Sequence, residues 1–427
     1  MNVSPIGLAH AARAFWRTRR LTHTLRTPED VRRWQASRLE RFLARVAPRA
    51  AFYANRRGTR LDQLPIVDKA QLLAAFEQFN RAGVTLAEAR AAIDAGAPRV
   101  RGYLVGQSTG TSGNRGVFVI SEAERFTWLG VMLAKALPDV LTARLRVALA
   151  LPAYSQLYAS AAETGRIALR FFDLRAGVAA WRDEIAAFAP DVIVAPPKVL
   201  RALAETTSMR PARVFSGAEV LDPLDRQVIE AAFQTPVREI YMATEGLLGV
   251  ACPLGVLHLA EDAVHFEWER AGSQSDLVKP LITDFTRSTQ IMARYRMNDL
   301  LRLRAAPCTC GSPLQAVESV EGRLDDVFEL RGADGALRMV TPDVLRNAVV
   351  DADRRIDDFR IVQTGPDEVE LALAPSLPAE AAAAAAANLS AALRRAGAAD
   401  VRVKSKRGID VPYDRKLRRV MRVWRPS

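Results

Sequence analysis

Short apolar runs and stretches with a helical period alternate through the middle of this chain. Val147–Leu151, Val192–Ala195, Arg213–Phe215 and Arg238–Tyr241 read as strands, with the helical Trp181–Phe188, Val199–Glu205 and Asp225–Phe233 between them. That alternation predicts an α/β fold with a largely parallel sheet. Residues 256–330 carry several strands without long helices, which predicts an antiparallel or barrel-like subdomain. Residues 1–100 read as helices rich in Ala and Arg, and Leu64-Pro65-Ile66-Val67-Asp68-Lys69 as a turn into a helix start. At the N-terminus Leu8, Ala11, Ala12, Phe15 and Trp16 keep a helical period, with Arg13, Arg17, Arg19 and Arg20 between or after them. A helix packed on the main domain is expected there, with a membrane-surface helix as the alternative.

The last hundred residues read as a separate unit. Arg360–Val362 and Val369–Leu373 are strands joined by the turn Gly365-Pro366-Asp367. A helix runs from Pro378 through Arg395, its poly-alanine centre strongly helix-forming and Gly397 its stop. Val401–Lys404 is a further strand, so the order β-β-α-β predicts a small α+β lid. The tail from Arg402 to Arg425 reads as a solvated basic face. Three parts follow: 1–100, helical; 101–324, the ligand-binding part of a large domain; and 325–427, the C-terminal lid.

Composition narrows the function classes. A length of 427 residues is too great for one typical domain. An apolar fraction of 49% with 25% charged residues allows a large buried core. A net charge of +12 favours anionic partners such as nucleotides, coenzyme A or an acidic carrier protein. No helix-turn-helix or aromatic-and-basic signature accompanies the charge, so nucleic acid is not expected. No run of about 18 apolar residues exists, so no stable membrane insertion is expected. Three cysteines without a signal-like N-terminus do not make a disulfide framework, and a cytoplasmic location is expected.

The segment richest in chemistry is Ser108-Thr109-Gly110-Thr111-Ser112-Gly113-Asn114-Arg115-Gly116, between strand-like Tyr103–Val105 and Val117–Ile120. Its glycines let backbone approach a ligand, and its hydroxyls and free N–H groups can cradle phosphate oxygens. A Ser/Gly linker has the same composition. The Gly-Lys-Ser/Thr ending of a Walker loop is absent.

This loop resembles the phosphate loop of the adenylate-forming superfamily of acyl-CoA synthetases, adenylation domains and luciferases. Its Gly-Asn-Arg-Gly ending is more similar to the branch of phenylacetate-CoA ligases and deazaflavin-coenzyme adenylyltransferases. Asn114 and Arg115 stand where a lysine is usual. Further segments follow in the order of that family. Ser216-Gly217-Ala218-Glu219 resembles the adenine-side segment. Tyr241-Met242-Ala243-Thr244-Glu245 resembles the Tyr-Gly-x-Thr-Glu motif, in which Thr binds phosphate and Glu holds Mg²⁺. Tyr295-Arg296-Met297-Asn298-Asp299-Leu300 resembles the ribose motif, with Asp299 as the carboxylate. Gly322-Arg323-Leu324-Asp325-Asp326 resembles the hinge, with Arg323 near ribose and phosphate and Asp325 as the swivel. Pro412-Tyr413-Asp414-Arg415-Lys416-Leu417-Arg418-Arg419 resembles the C-terminal lysine motif, with Lys416 catalytic.

The resemblance implies a large adenylate-forming domain with layered sheets and a barrel-like subdomain, plus the lid. It implies ATP and Mg²⁺ as cofactors and a carboxylic acid activated as acyl-AMP. Transfer to coenzyme A, or to the phosphopantetheine of an acyl or aryl carrier protein, would follow. Ala153-Tyr154-Ser155-Gln156-Leu157-Tyr158 stands where the family shapes its acyl pocket, which favours an aromatic or medium acyl acid. Alternatives are AMP transfer to a hydroxyl, amide formation without a thioester, and a degenerate non-catalytic nucleotide-binding protein.

One feature is read from the residues themselves. All three cysteines, Cys252, Cys308 and Cys310, lie close to His258 and His265 in sequence or share a short Cys-x-Cys turn. Cys252, His258, Cys308 and Cys310 give a Cys₃His set suited to a closed structural zinc site. His265 is the alternative fourth ligand, and buried free thiols are the plain alternative.

Overall fold

The structure is a computed structural model that describes residues 5–108, 115–151, 166–271, 276–409 and 418–425. The chain divides into two compact units. One comprises Met1–Met297 and Leu301–Ser319, the other Asn298–Leu300 and Val320–Ser427.

Among the described residues, twelve strands of the chain form one mixed sheet. Its parallel half runs in the order Ile167–Asp173, Leu145–Leu151, Val192–Ala195, Arg213–Gly217, Val237–Ala243. Alternate residues of these strands face opposite ways, and both faces are covered, as parallel sheets require. Ala148, Ile193, Val214 and Val237 pack under Trp181, Ile185, Leu200, Leu203, Ile229 and Phe233. Val147, Leu149, Val192 and Phe215 pack against Ala14, Phe15, Val131 and Ala134. Each fully buried Val, Leu, Ile or Phe contributes about 1.5–3 kcal/mol, so these two layers fix the scaffold.

Past Val237–Ala243 the pairing turns antiparallel. Gly246–Ala251, Leu257–Leu259, Ala316–Arg323, Asp299–Leu303, Val278–Asp284 and Val264–Arg270 continue the same sheet.

Helix α1 (Pro5–Thr24) lies on the helix Glu122–Ala136. The approach is set by small residues: a Cβ on Gly130 would sit 2.1 Å from the Ala11 carbonyl oxygen. The buried side of α1 is Gly7, Ala14, Phe15, Thr18 and Leu21, whereas Leu8 and Trp16 are exposed. Apolar spacing alone put those two on the packed face. The true face is built largely of small residues, which carry little hydropathy signal. Helix α2 (Pro28–Arg45) starts at a capping box of Thr27 and Asp30, and Trp34 and Gln35 fasten it by donating to the carbonyls of Asp262 and Glu261. Such a cap contributes about 1 kcal/mol.

A three-stranded antiparallel sheet is made of Arg99–Val100, Tyr103–Gln107 and Val117–Ile120, and the last two strands flank the glycine-rich segment in sequence.

In the second unit a four-stranded sheet runs Arg402–Arg407, Glu368–Leu373, Phe359–Gly365, Val420–Arg422. The helices Pro342–Val350 and Ala379–Arg395 accompany it. The poly-alanine helix buries Ala381, Ala385, Leu389 and Leu393. Val420–Arg422 pairs parallel to Phe359–Gly365, so part of the basic tail is structural. Arg418 pairs with Asp326 and Arg419 with Asp358. No helix among the described residues is long and apolar enough to cross a membrane.

Candidate active site

In the first unit the two ends of the glycine-rich segment, Ser108 and Gly116, are bonded to each other. Ser108 N–H donates to the Gly116 carbonyl at 2.8 Å, and Gly116 N–H donates to the Ser108 hydroxyl at 3.0 Å. Gly116 is seated against Thr244: a Cβ on it would meet Thr244 Oγ1 at 2.9 Å and Lys69 Cε at 3.7 Å. Arg115 is exposed beside it. Thr109, Gly110, Thr111, Ser112 and Gly113 lie outside the described residues, as do Lys416 and the acyl-pocket segment 153–158.

Thr244 and Glu245 follow the strand Val237–Ala243. The Thr244 hydroxyl donates to Glu245 Oε2 at 2.7 Å, which leaves Oε1 for a hard cation. The neighbouring parallel strand ends at Ser216 and Gly217, with Gly217 in register with Ile240. Both motifs therefore lie at the carboxyl ends of adjacent strands, where open α/β sheets hold ligands. Ala218 has a left-handed φ of 69°, a conformation costly for a residue with a Cβ. Glu219 and Lys198 are near each other, 4.0 Å apart and both largely buried. The Ser216 hydroxyl is buried without a hydrogen-bond partner. Tyr241 is buried in the strand, while Met242 is partly exposed.

A supporting loop was not evident from sequence. Arg287 donates to the Thr244 carbonyl at 2.8 Å. Asp284 accepts from Thr286 N–H at 2.8 Å and from Arg287 N–H at 3.3 Å. Burial pushes the Asp284 carboxyl up, against the pull of Arg287 and these bonds. Glu124 accepts from Ser288 N–H at 2.6 Å and Thr289 N–H at 2.8 Å, and its other oxygen accepts from Ser121 N–H at 2.7 Å in the capping box of its own helix, Glu122–Ala136. Lys69 was also missed. Its one sequence signal is that it is the sole lysine among residues 1–100. It is the first residue of a helix whose capping box is Asp68 and Gln71.

In the second unit Asp299 lies 3.9 Å from Arg323 Nε. Asn298 donates to Asp325 at 2.6 Å, and its carbonyl accepts from Leu324 N–H at 2.8 Å. The ribose-like and hinge-like segments are thus bound to each other.

The sulfur residues converge. The ligand atoms of Cys252, His258, Cys308 and Cys310 all lie within 4.8 Å of one another. Cys252 Sγ and Cys308 Sγ are 4.0 Å apart, and Cys310 Sγ and His258 Nε2 3.4 Å apart. Four ligands on zinc with bonds of about 2.3 Å stand roughly 3.7 Å apart, so the donor set fits. The other ring nitrogen of His258 meets the Leu314 carbonyl at 3.0 Å, which directs Nε2 at the thiols. Burial pushes the His258 ring towards its neutral form. The Ser312 and Cys310 N–H groups face the sulfurs of Cys310 and Cys308, both at 3.5 Å. His265 stands apart on its strand, its Nδ1 2.9 Å from Gln35 Oε1.

Among solved structures, a 2-hydroxyisobutyryl-CoA ligase in complex with 2-HIB-AMP superposes on 93% of this chain and 90% of its own, with a TM-score of 0.67 and 19% identity. The fold is that of the adenylate-forming ligases. Fatty acyl-adenylate ligases from E. coli and L. pneumophila match 73% of the chain and 67% of their own, at a TM-score of 0.51 and 14% identity. An amide bond synthetase from Marinactinospora thermotolerans matches 74% and 68%, at 0.50 and 15%. No family model matches the sequence, and no curated protein matches it either.

Proposed function

We propose that this protein activates a carboxylic acid with ATP to an acyl-AMP and transfers the acyl group to a thiol, of coenzyme A or of a carrier phosphopantetheine. The observation that carries this reading is the seating of Gly116 against Thr244, beside Glu245 at the carboxyl edge of the parallel sheet. A glycine-rich segment, a hydroxyl, a carboxylate and Lys69 in one place are the parts a polyphosphate needs.

In this reading the glycine-rich segment and the Thr244 hydroxyl hold phosphate oxygens, and Lys69 adds positive charge. Asp299 accepts from the ribose hydroxyls, and Arg323 lies on the ribose and phosphate side. Glu245 offers a hard oxygen to Mg²⁺, which when bound neutralises phosphate charge. The substrate carboxylate attacks the α-phosphorus in line, and pyrophosphate leaves. Lys416 stabilises the charge developing on the reacting oxygens. Catalysis of this kind rests on positioning and electrostatics. The lid turns about Asp325 before the thiol attacks the acyl carbon and AMP leaves. Cys252, His258, Cys308 and Cys310 hold a zinc ion that is closed to substrate and structural. An aromatic or medium acyl acid is the proposed substrate class.

The test is acid-dependent pyrophosphate exchange across a panel of aryl and acyl acids. At least one acid should support exchange, and Glu245→Gln and Lys416→Ala should each lower it roughly a hundredfold or more. Exchange with no acid of the panel, or normal exchange by Lys416→Ala, contradicts the reading or that residue's role. Dependence of the final product on coenzyme A separates thioester formation from amide formation.

A further inference from the structure

We propose that the first two helices form a docking face for an anionic phospholipid membrane surface. Residues 5–49 hold eleven arginines and three acidic residues, a surplus of eight within a chain whose whole net charge is +12. Two of the acids are already engaged, Glu29 with Arg32 and Asp30 with Arg33. The remaining arginines gather rather than disperse. Arg17 lies in the field of Arg13, and Arg38 in the fields of Arg17 and Arg41, with Asp262 as the opposing charge on Arg17. Asp262 is itself bonded to Lys135 at 2.8 Å. Arg38 lies over the Trp34 ring at 4.5 Å, and its Nε is buried with no hydrogen-bond partner. Like charges held together in this way call for anions from outside.

The same face is apolar where a purely ionic partner needs nothing apolar. Ile6 is 71% exposed and Trp16 62%. Ile6, Arg13, Trp16 and Arg20 are spaced seven, three and four apart, so they line one outward strip of α1. The opposite side, with Ala14, Phe15 and Leu21, is committed to the protein. Large apolar groups interleaved with arginines along the strip match a bilayer interface, with side chains at the acyl boundary and guanidinium groups on phosphates. Nucleic acid or an acidic protein satisfies the charge but leaves Ile6 and Trp16 without a purpose. Each arginine near an anionic leaflet strengthens partition about fivefold, so four together give several hundredfold. The attachment is peripheral and independent of the proposed chemistry.

The full-length protein is sedimented with phosphatidylcholine vesicles and with vesicles containing about one-third phosphatidylglycerol. Partition into the anionic vesicles should exceed that into neutral ones at least tenfold and collapse at about 0.5 M salt, where screening is short-ranged. Arg13→Ser with Arg41→Ser should lower it roughly twentyfold, and Trp16→Ser several-fold, with unchanged circular dichroism and pyrophosphate exchange. Equal partition into both vesicles, no partition, or variants that bind like the parent overturns the proposal. Capture by an acidic carrier protein without vesicle binding also overturns it.

Discussion

The Arg287 guanidinium donates to the carbonyl of Thr244, at 2.8 Å, from a loop that Glu124 fastens to the head of a helix. Thr244, which packs closely against Gly116, is thereby held from behind. Arg287→Met removes a charge-assisted bond and leaves the buried Asp284 without its nearest cation. Loss of such a bond costs about 1.5–3 kcal/mol. The expected outcome is a lower denaturation midpoint together with weaker pyrophosphate exchange. Full exchange in a destabilised variant would show that the loop supports the fold alone.

Gly116→Ala tests the close approach directly. A methyl group 2.9 Å from the Thr244 hydroxyl has to displace either the glycine-rich segment or Thr244. A misplacement of about 1 Å can cost roughly a hundredfold in rate. The expected result is a loss of tenfold to a hundredfold in exchange with little change in melting temperature. Lys69→Met should chiefly raise the KM for ATP, measured in the same assay.

The parallel core was legible because strand and helix periods are strong where both sheet faces are covered. Val192–Ala195 matches the observed strand end for end, and Arg213–Phe215 lies within Arg213–Gly217. The tail reading failed at Val420–Arg422, since Arg418 and Arg419 find Asp326 and Asp358, acids far away in sequence. Composition sees a basic run but cannot see those partners. Apolar spacing points Trp16 inward, yet it is exposed because Gly7, Ala14 and Thr18 make the contact. Of the motif residues, Gly116 is found against Thr244 and Asn298 against Asp325, whereas Lys69, Glu124 and Arg287 stand near Gly116 and Thr244 at positions that no local pattern marks.

Glu124 also sets an expectation for acid stability. Burial pushes its carboxyl up, but hydrogen bonds from Thr289, Ser121 and Ser288 outweigh that and hold it below its ordinary 4.5. The folded state therefore favours the ionised form. Its contribution is present above pH 4.5 and is lost as pH falls through the depressed value. Denaturation midpoints measured against pH should decline on that limb, and Glu124→Gln should flatten part of the decline. An unchanged limb would remove Glu124 from the account.

Metal analysis of the purified protein should find one zinc per chain, and Cys308→Ser should lose it. A few kcal/mol lost there would lower the melting temperature by about 2–4 °C for each kcal/mol in a domain of this size. Protein that contains no zinc, with melting unaffected by Cys308→Ser, excludes the structural ion.

Because Cys252, Cys308 and Cys310 are the whole cysteine complement and sit together, this chain carries a built-in single-location reporter. Any maleimide, or the visible absorption of cobalt placed in the same sulfur-rich pocket, reads that knuckle and nothing else. Changes transmitted along the antiparallel strands can therefore be followed by colour or labelling rate, with no engineered label.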